Sequence, residues 1–304
     1  MRACSDRGMT ALWRGLLLLV AFGLLSGCSG LRLVYSNLDR AVVWRATDYV
    51  DLNRAQRSWL RQEARVYLHW HRYEQLPELS ALLTDFETAV DNGFDLEQAK
   101  AFEERGQALF EVMMREALPS LVDLMAGFSD RQISGLAKVL EESNAELNAD
   151  YEGLPEAEQR AVWREKTRDS LDRWVGRLTP AQEVMLEAAS EDIEPDNQEW
   201  VAFRRLWQAD LIAALDERER TDAFKARITE LMLHRERWYP DSYREVVENR
   251  QAVYRRFAVE LLSSLDDAQR RRLSNRLGSL VRDFEILAAS SRSAPEPAGP
   301  APRA

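Results

Sequence analysis

The sequence predicts an all-α protein, an antiparallel multi-helix bundle of about eleven helices. Apolar residues recur at intervals of three and four, as in Leu79, Leu82, Leu83, Phe86 and Val90, or in Trp200, Phe203, Trp207 and Leu211. No stretch alternates apolar with polar residues for more than a few positions. Glycine is scarce, 13 in 304 residues, while hydrophobic residues reach 45%, enough to bury a substantial core.

Taken in order, helices are expected at about 36–50 and about 54–75, the second opened by Asn53 with Gln56 three residues on. Pro77 suits the first turn of a helix over about 77–91. The turn-forming DNGFD stretch, Asp91 to Asp95, then leads into about 95–117, opened by Asp95 and Gln98. Pro119 lies inside an apolar run and should kink or restart the helix, giving a separate element over about 119–127. Ser129 and Gln132 open about 130–149, Pro155 precedes about 156–176, and Thr179, Pro180 and Gln182 open about 180–190. Pro195 precedes about 196–217. Helical periodicity continues over about 220–237 and 241–264, and Asp266 with Gln269 opens the last helix, about 267–288. Residues 290–304 (SSRSAPEPAGPAPRA from Ser290) should form a disordered tail. The helical domain therefore spans 28–289, with a possible subdivision near 150, where NADYEGLP interrupts the pattern.

Five helix starts share one pattern, an apolar residue, a short polar residue, Gln three positions later and a second apolar residue four beyond. The copies are Leu52-Asn53…Gln56…Leu60, Phe94-Asp95…Gln98…Phe102, Phe128-Ser129…Gln132…Leu136, Leu178-Thr179…Gln182…Leu186 and Leu265-Asp266…Gln269…Leu273. The pattern is that of a capping box, in which the short polar side chain accepts from the third helical N–H and Gln reaches back to the cap's N–H. The copies have no fixed spacing, which disfavours a regular solenoid. LTPAQ also resembles the LTxxQ motif of Spy/CpxP-type periplasmic chaperones, small all-α proteins that bind unfolded clients.

The first residues predict export. Arg2, Arg7 and Arg14 precede a short apolar run, Gly15 to Leu25, too short for a membrane span. Met9 opens a cleaner version of this signal and is an alternative start. Leu25, Ser26, Gly27 and Cys28 resemble the lipobox of bacterial lipoproteins. The resemblance implies cleavage between Gly27 and Cys28, removal of residues 1–27, and acylation of Cys28, which ties the chain to a membrane. Ser29 lacks the aspartate that retains such proteins at the inner membrane, so the outer membrane, facing the periplasm, is the expected location.

Removing three arginines and one aspartate with the signal takes the net charge from −10 to −12. That balance argues against nucleic-acid binding, which depends on neutralising phosphates. Cys4 lies in the signal, so the mature chain keeps one cysteine and has no disulfide or cysteine metal site. Only four of the 41 basic residues are lysines, Lys100, Lys138, Lys166 and Lys225.

No catalytic constellation emerges. His69 and His71 are two apart, so on a helix they face different ways and do not make a metal site. Glu63, Tyr67 and His71, with Glu74 beyond, share a face and could form a proton-transfer stack; the commoner outcome for such a histidine is a half-buried ring bonded to a neighbour. Glu142-Ser143 resembles the catalytic Glu-Ser of helical lytic transglycosylases, but the following NAELNADYEGL lacks that family's Gly-Leu-Met-Gln segment. Trp163 with Trp174, and Trp200 with Trp207, form aromatic stripes that belong to a core or, if exposed, to a partner groove.

YSNLDRAVVWRATDYVDLNRAQ, from Tyr35, and WHRYEQLPELSALL, from Trp70, resemble an uncharacterised family of Gram-negative lipoproteins with a domain of unknown function. The matching positions are Tyr35, Leu38, Asp39, Tyr49, Asp51, Leu52, Gln56, Trp70, His71, Arg72, Leu76 and Pro77. The resemblance implies an envelope location and an all-α fold, without an activity. The expected function is that of a non-enzymatic, protein-binding scaffold or chaperone-like module, with periplasmic or outer-membrane proteins as partners and no metal or cofactor. A peptidoglycan-acting or other periplasmic enzyme, and a structural subunit of an outer-membrane assembly, are the alternatives.

Overall fold

A computed structural model of the chain describes residues 30–304, except 152–153, 196, 219–220 and 291–292. The expected signal segment, Gly27 and Cys28 lie outside these residues. Every regular element among the described residues is helical. In chain order they are α1 (Gly30–Tyr35), α2 (Leu38–Thr47), α3 (Arg54–Trp70), a π-helical turn (His71–Gln75), α4 (Leu76–Asn92), α5 (Leu96–Ala126) and α6 (Asp130–Tyr151). They continue with α7 (Glu156–Trp174), α8 (Pro180–Asp192), α9 (Asn197–Asp216), α10 (Asp222–Leu233), a 3-10 turn (Arg235–Trp238), α11 (Asp241–Ser263) and α12 (Asp267–Ala289).

Besides the unexpected α1 and the break at His234 that divides the expected 220–237 helix, two boundaries depart from the sequence reading. The first is at Pro119, where no restart occurs and α5 runs unbroken for 31 residues, about 46 Å. Proline removes one hydrogen bond and crowds the carbonyl four residues back. Leu118 and Val122, buried on either side of it, hold both halves against the core. The second is the junction of the second and third expected helices. Instead of ending near 75, α3 passes through the π turn directly into α4, with Pro77 in the first turn of α4 where its missing N–H costs nothing. Gly93, at φ +102°, then ends α4 and lets the chain turn into the Asp95 cap.

Burial divides between two main cores. One gathers Leu52, Trp59, Leu60, Leu118 and Ile133 with Phe203, Trp207, Leu215, Ile228 and Leu231. The other gathers Val90, Phe94, Leu178 and Leu186 with Phe257, Leu261, Leu273 and Leu277. Each takes segments from both sides of residue 150, so the chain threads back and forth between them. A small third cluster of Tyr35, Leu76 and Leu287 ties α1 to α4 and α12.

The aromatic stripes are drawn into these cores. Trp207 is buried and its Nε1 donates to Leu231 O at 2.7 Å, Trp200 packs against the first core, and Trp163 stacks on Tyr254 beside Phe257. Large apolar side chains that stay exposed, such as Leu96, Val112, Val184, Leu206 and Ile286, are spread over different helices.

Among the described residues after Ala289 there is no regular secondary structure, and the segment lies against the body. Trp59 Nε1 donates to Gly299 O at 2.7 Å, Gln62 Nε2 to Glu296 O at 2.6 Å, and Ala298 N donates to Glu63 Oε1 at 2.7 Å. Ala301 is 4% exposed. Pro302 O would lie 2.6 Å from a Cβ at Gly127, so the strap depends on glycine there. Four bonds to backbone and the burial of Ala301 lay the described tail residues along α3 as an extended strap.

Candidate functional site

The recurrent helix starts resolve into two interlocked pairs and one isolated copy. In each pair the glutamine that closes one capping box also binds its counterpart. Asn53 N donates to Gln56 Oε1 (3.0 Å) and Ser129 N to Gln132 Oε1 (3.0 Å), the reach-back bond of the box. Gln132 Nε2 then donates to Gln56 Oε1 at 2.7 Å, and Gln56 Nε2 to Gln132 Oε1 at 3.4 Å. The remaining amide protons go to backbone, Gln56 to Gly127 O and Gln132 to Asp51 O. Gln182 and Gln269 repeat the arrangement with both amide bonds at 2.8 Å, and with Ser264 O and Arg177 O as the backbone acceptors.

In all four cases the backbone acceptor lies five residues before the partner glutamine, so each pair has the appearance of a local two-fold. All four glutamines are buried, Gln56 at 0% and Gln182 at 1% exposure. Each amide oxygen accepts at least twice and each NH₂ donates at least twice, so these buried polar groups are satisfied. The fifth copy behaves differently. Asp95 and Gln98 form the box with each other, while Gln98 has no further bond, and Phe94 and Phe102 join an aromatic group with Phe86.

The locks build the body; the accessible chemistry lies at the other end of α3. A cleft of about 340 Å³ opens where α2, α3, the π turn and the tail meet. On α2, Asp39 is buried, and its Oδ2 accepts from Arg61 Nε at 2.8 Å and Arg65 Nε at 3.0 Å. Burial alone would raise the Asp39 pKa, but the two arginine bonds outweigh it and hold the carboxyl below its ordinary value. Arg40, on the rim, is exposed and has no ion pair among the described residues. Arg72, from the π turn, is 4% exposed, and its guanidinium sits 5.3 Å over the Tyr35 ring. No hydrogen bond reaches Arg72 Nε. The cleft wall therefore carries four guanidiniums against one carboxylate. At the same wall α2 starts without a side-chain cap, since Asn37 Nδ2 turns back to Leu33 O.

The other residues singled out from the sequence have settled partners. Tyr35 Oη lies 3.0 Å from His71 Nδ1 and 3.2 Å from Leu68 O. Burial pushes the His71 pKa down to about 4, so the ring is neutral near neutral pH. Tyr67 is pushed up to about 12, by burial first and then by Glu116. Glu63 faces elsewhere, accepting from Ser120 Oγ at 2.8 Å and from the tail. The Glu63, Tyr67 and His71 stack is therefore not a proton-transfer chain. Glu142 sits on an open surface of α6, 3.6 Å from Lys138. Among the described residues, no group of three or more His, Cys, Asp and Glu is placed to hold a metal ion.

A second buried guanidinium, Arg204, was not signalled by the sequence. Its Nε donates to Asn144 Oδ1 at 2.9 Å, and Asn144 Nδ2 donates to Gln208 Oε1 at 2.6 Å, joining α6 to α9. Burial pushes its pKa down to about 10. The contact with Trp200, 4.8 Å from the guanidinium carbon to the ring centre, makes it an internal strut.

An all-α body with glutamine-locked helix starts and an arginine-lined cleft defines the structural class. A family model described as a family of unknown function (DUF6279) matches residues 48–244, well over half of the chain, and the chain belongs to that family. The match takes in Tyr49, Gln56, Trp70, His71 and Arg72, and begins after Tyr35 and Asp39. No curated protein and no solved structure matches the chain.

Proposed function

We propose that this protein is a non-enzymatic envelope lipoprotein, anchored through acylated Cys28 at the outer membrane and facing the periplasm, with the helical body as a binding scaffold. The single observation that carries the binding reading is the cleft wall, where Arg40, Arg61, Arg65 and Arg72 face one buried carboxylate. Guanidiniums stay charged across the physiological range and bind without exchanging protons. The aromatic stripes that would have served a client-binding groove are largely spent on the cores, so the arginine cleft takes precedence over an apolar client surface.

Two exposed apolar side chains support the anchored orientation. On α1 and α2, Leu33 and Trp44 are 68% and 69% exposed. An exposed tryptophan suits a membrane interface. Among the described residues no helix is long and apolar enough to cross a membrane. Metabolic labelling with a fatty acid is expected to mark the wild type and not Cys28→Ala, which should leave the membrane fraction. Equal membrane retention of the unlabelled variant would overturn the anchor. Muropeptide release should be the same in wild type and Glu142→Gln, and a loss in the variant would restore the enzymatic alternative.

A further inference from the structure

The cleft at the start of the body combines features that point to one ligand chemistry. Arg72 is buried to 4% exposure, stacked on Tyr35, and has no carboxylate or carbonyl partner for its Nε. Arg61 and Arg65 stand one helical turn apart and share Asp39, which fixes their forks without neutralising both. Arg40 closes the rim with a free charge, and the uncapped first turn of α2 lies on the same wall. A protein of net charge −10 has concentrated positive charge here and has sequestered one arginine from water without giving it an acid.

A buried guanidinium without an acidic partner is costly unless an anion completes it. Planar forks and helix N-terminal N–H groups both match tetrahedral phosphate oxygens. We propose that this cleft binds a phosphate group, with Arg72 as the inner ligand, Arg61 and Arg65 as side contacts and Arg40 as the outer one. A cavity of about 340 Å³ leaves room for the glycerol or sugar that carries such a phosphate. The phosphate source is either a phospholipid headgroup or a soluble phosphate compound. This inference deepens the binding reading above, but it does not depend on acylation of Cys28.

The test uses the full chain purified in uncharged detergent, titrated by calorimetry with inorganic phosphate, with dihexanoyl phosphatidylglycerol and with phosphate-free dihexanoyl glycerol. Saturable binding of at least one phosphate probe, with none of dihexanoyl glycerol, is expected. Arg72→Gln should weaken it at least tenfold, Arg40→Gln about three- to tenfold, and Arg205→Gln, a surface control paired with Glu141, not at all. Preference for the lipid probe assigns the headgroup source, and equal or better binding of inorganic phosphate assigns the soluble one. If Arg72→Gln does not fold, the exposed Arg40 variant carries the test. Absence of binding by the folded wild type, or equal binding by both cleft variants and the control, overturns the proposal. The fatty-acid labelling of Cys28 reads out separately, so a failed anchor and a failed phosphate site are distinguishable.

Discussion

Replacing Gln182 by alanine is expected to destabilise the fold by about 3 to 4 kcal/mol, measured by urea denaturation, whereas Gln98→Ala costs about 1 kcal/mol or less. The two residues occupy the same place in the same motif, so propensity and capping cancel in the comparison. Gln98 serves only its own cap. Gln182 serves the Thr179 cap, Ser264 and the partner amide of Gln269, and it does so at 1% exposure. Truncation takes the partner from the half-buried Thr179 N–H and from Ser264 O, and takes one bond from each end of the buried Gln269 amide; each buried orphan costs about 1 to 3 kcal/mol. The double variant Gln182→Leu/Gln269→Leu should be less unstable than the sum of its single variants, because the amides that orphan each other are removed together. Equal losses in Gln182→Ala and Gln98→Ala would show that the locks contribute nothing beyond capping.

The second large effect is a pH dependence centred on His71. Its folded pKa of about 4 lies below the ordinary imidazole value of 6.5, with burial as the cause. Protons therefore bind the unfolded chain more readily. The stability associated with the neutral ring is fully present above pH 6.5, declines as pH falls towards 4, and is lost below it. At 1.36 kcal/mol per pKa unit the loss amounts to about 3 kcal/mol. Carboxylates titrate in the same window, so the informative quantity is wild type minus His71→Gln, which retains a side chain able to bond Tyr35. A difference curve that is flat between pH 6.5 and 4 would mean that the ring is not held neutral by the fold.

Much of the secondary structure was legible because its signals are local. Asn53, Asp95, Ser129, Thr179 and Asp266 each mark a helix start, since a cap and its glutamine are three residues apart and answer to geometry within a single turn. Pro119 misled because its penalty is local while the compensation, burial of Leu118 and Val122, is tertiary. The π turn at His71–Gln75 was invisible because a one-residue change in pitch barely alters an apolar pattern. The cleft escaped for a different reason. Asp39 lies on α2 and its arginines on α3, 22 and 26 residues away, and nothing in the intervening sequence says that they meet. Arg72 was noted only as a family position, since its isolation from acids appears only in three dimensions. The pairing of the glutamines was likewise unreadable, because the separations of 76 and 87 residues share no number that a repeat search would detect.

Those separations give the locks a role usually assigned to covalent chemistry. A link between residues 56 and 132, or 182 and 269, closes a long loop of chain, and in many exported proteins a disulfide does that work. This chain has two cysteines in all, Cys4 and Cys28, both ahead of the described body. Unlike a disulfide, the amide pairs join these segments only in the folded chain and leave the unfolded one unconstrained, and they need no oxidant, shuffling catalyst or reducible thiol. The unfolding midpoint should therefore be the same with and without dithiothreitol, and refolding from urea should need no redox buffer.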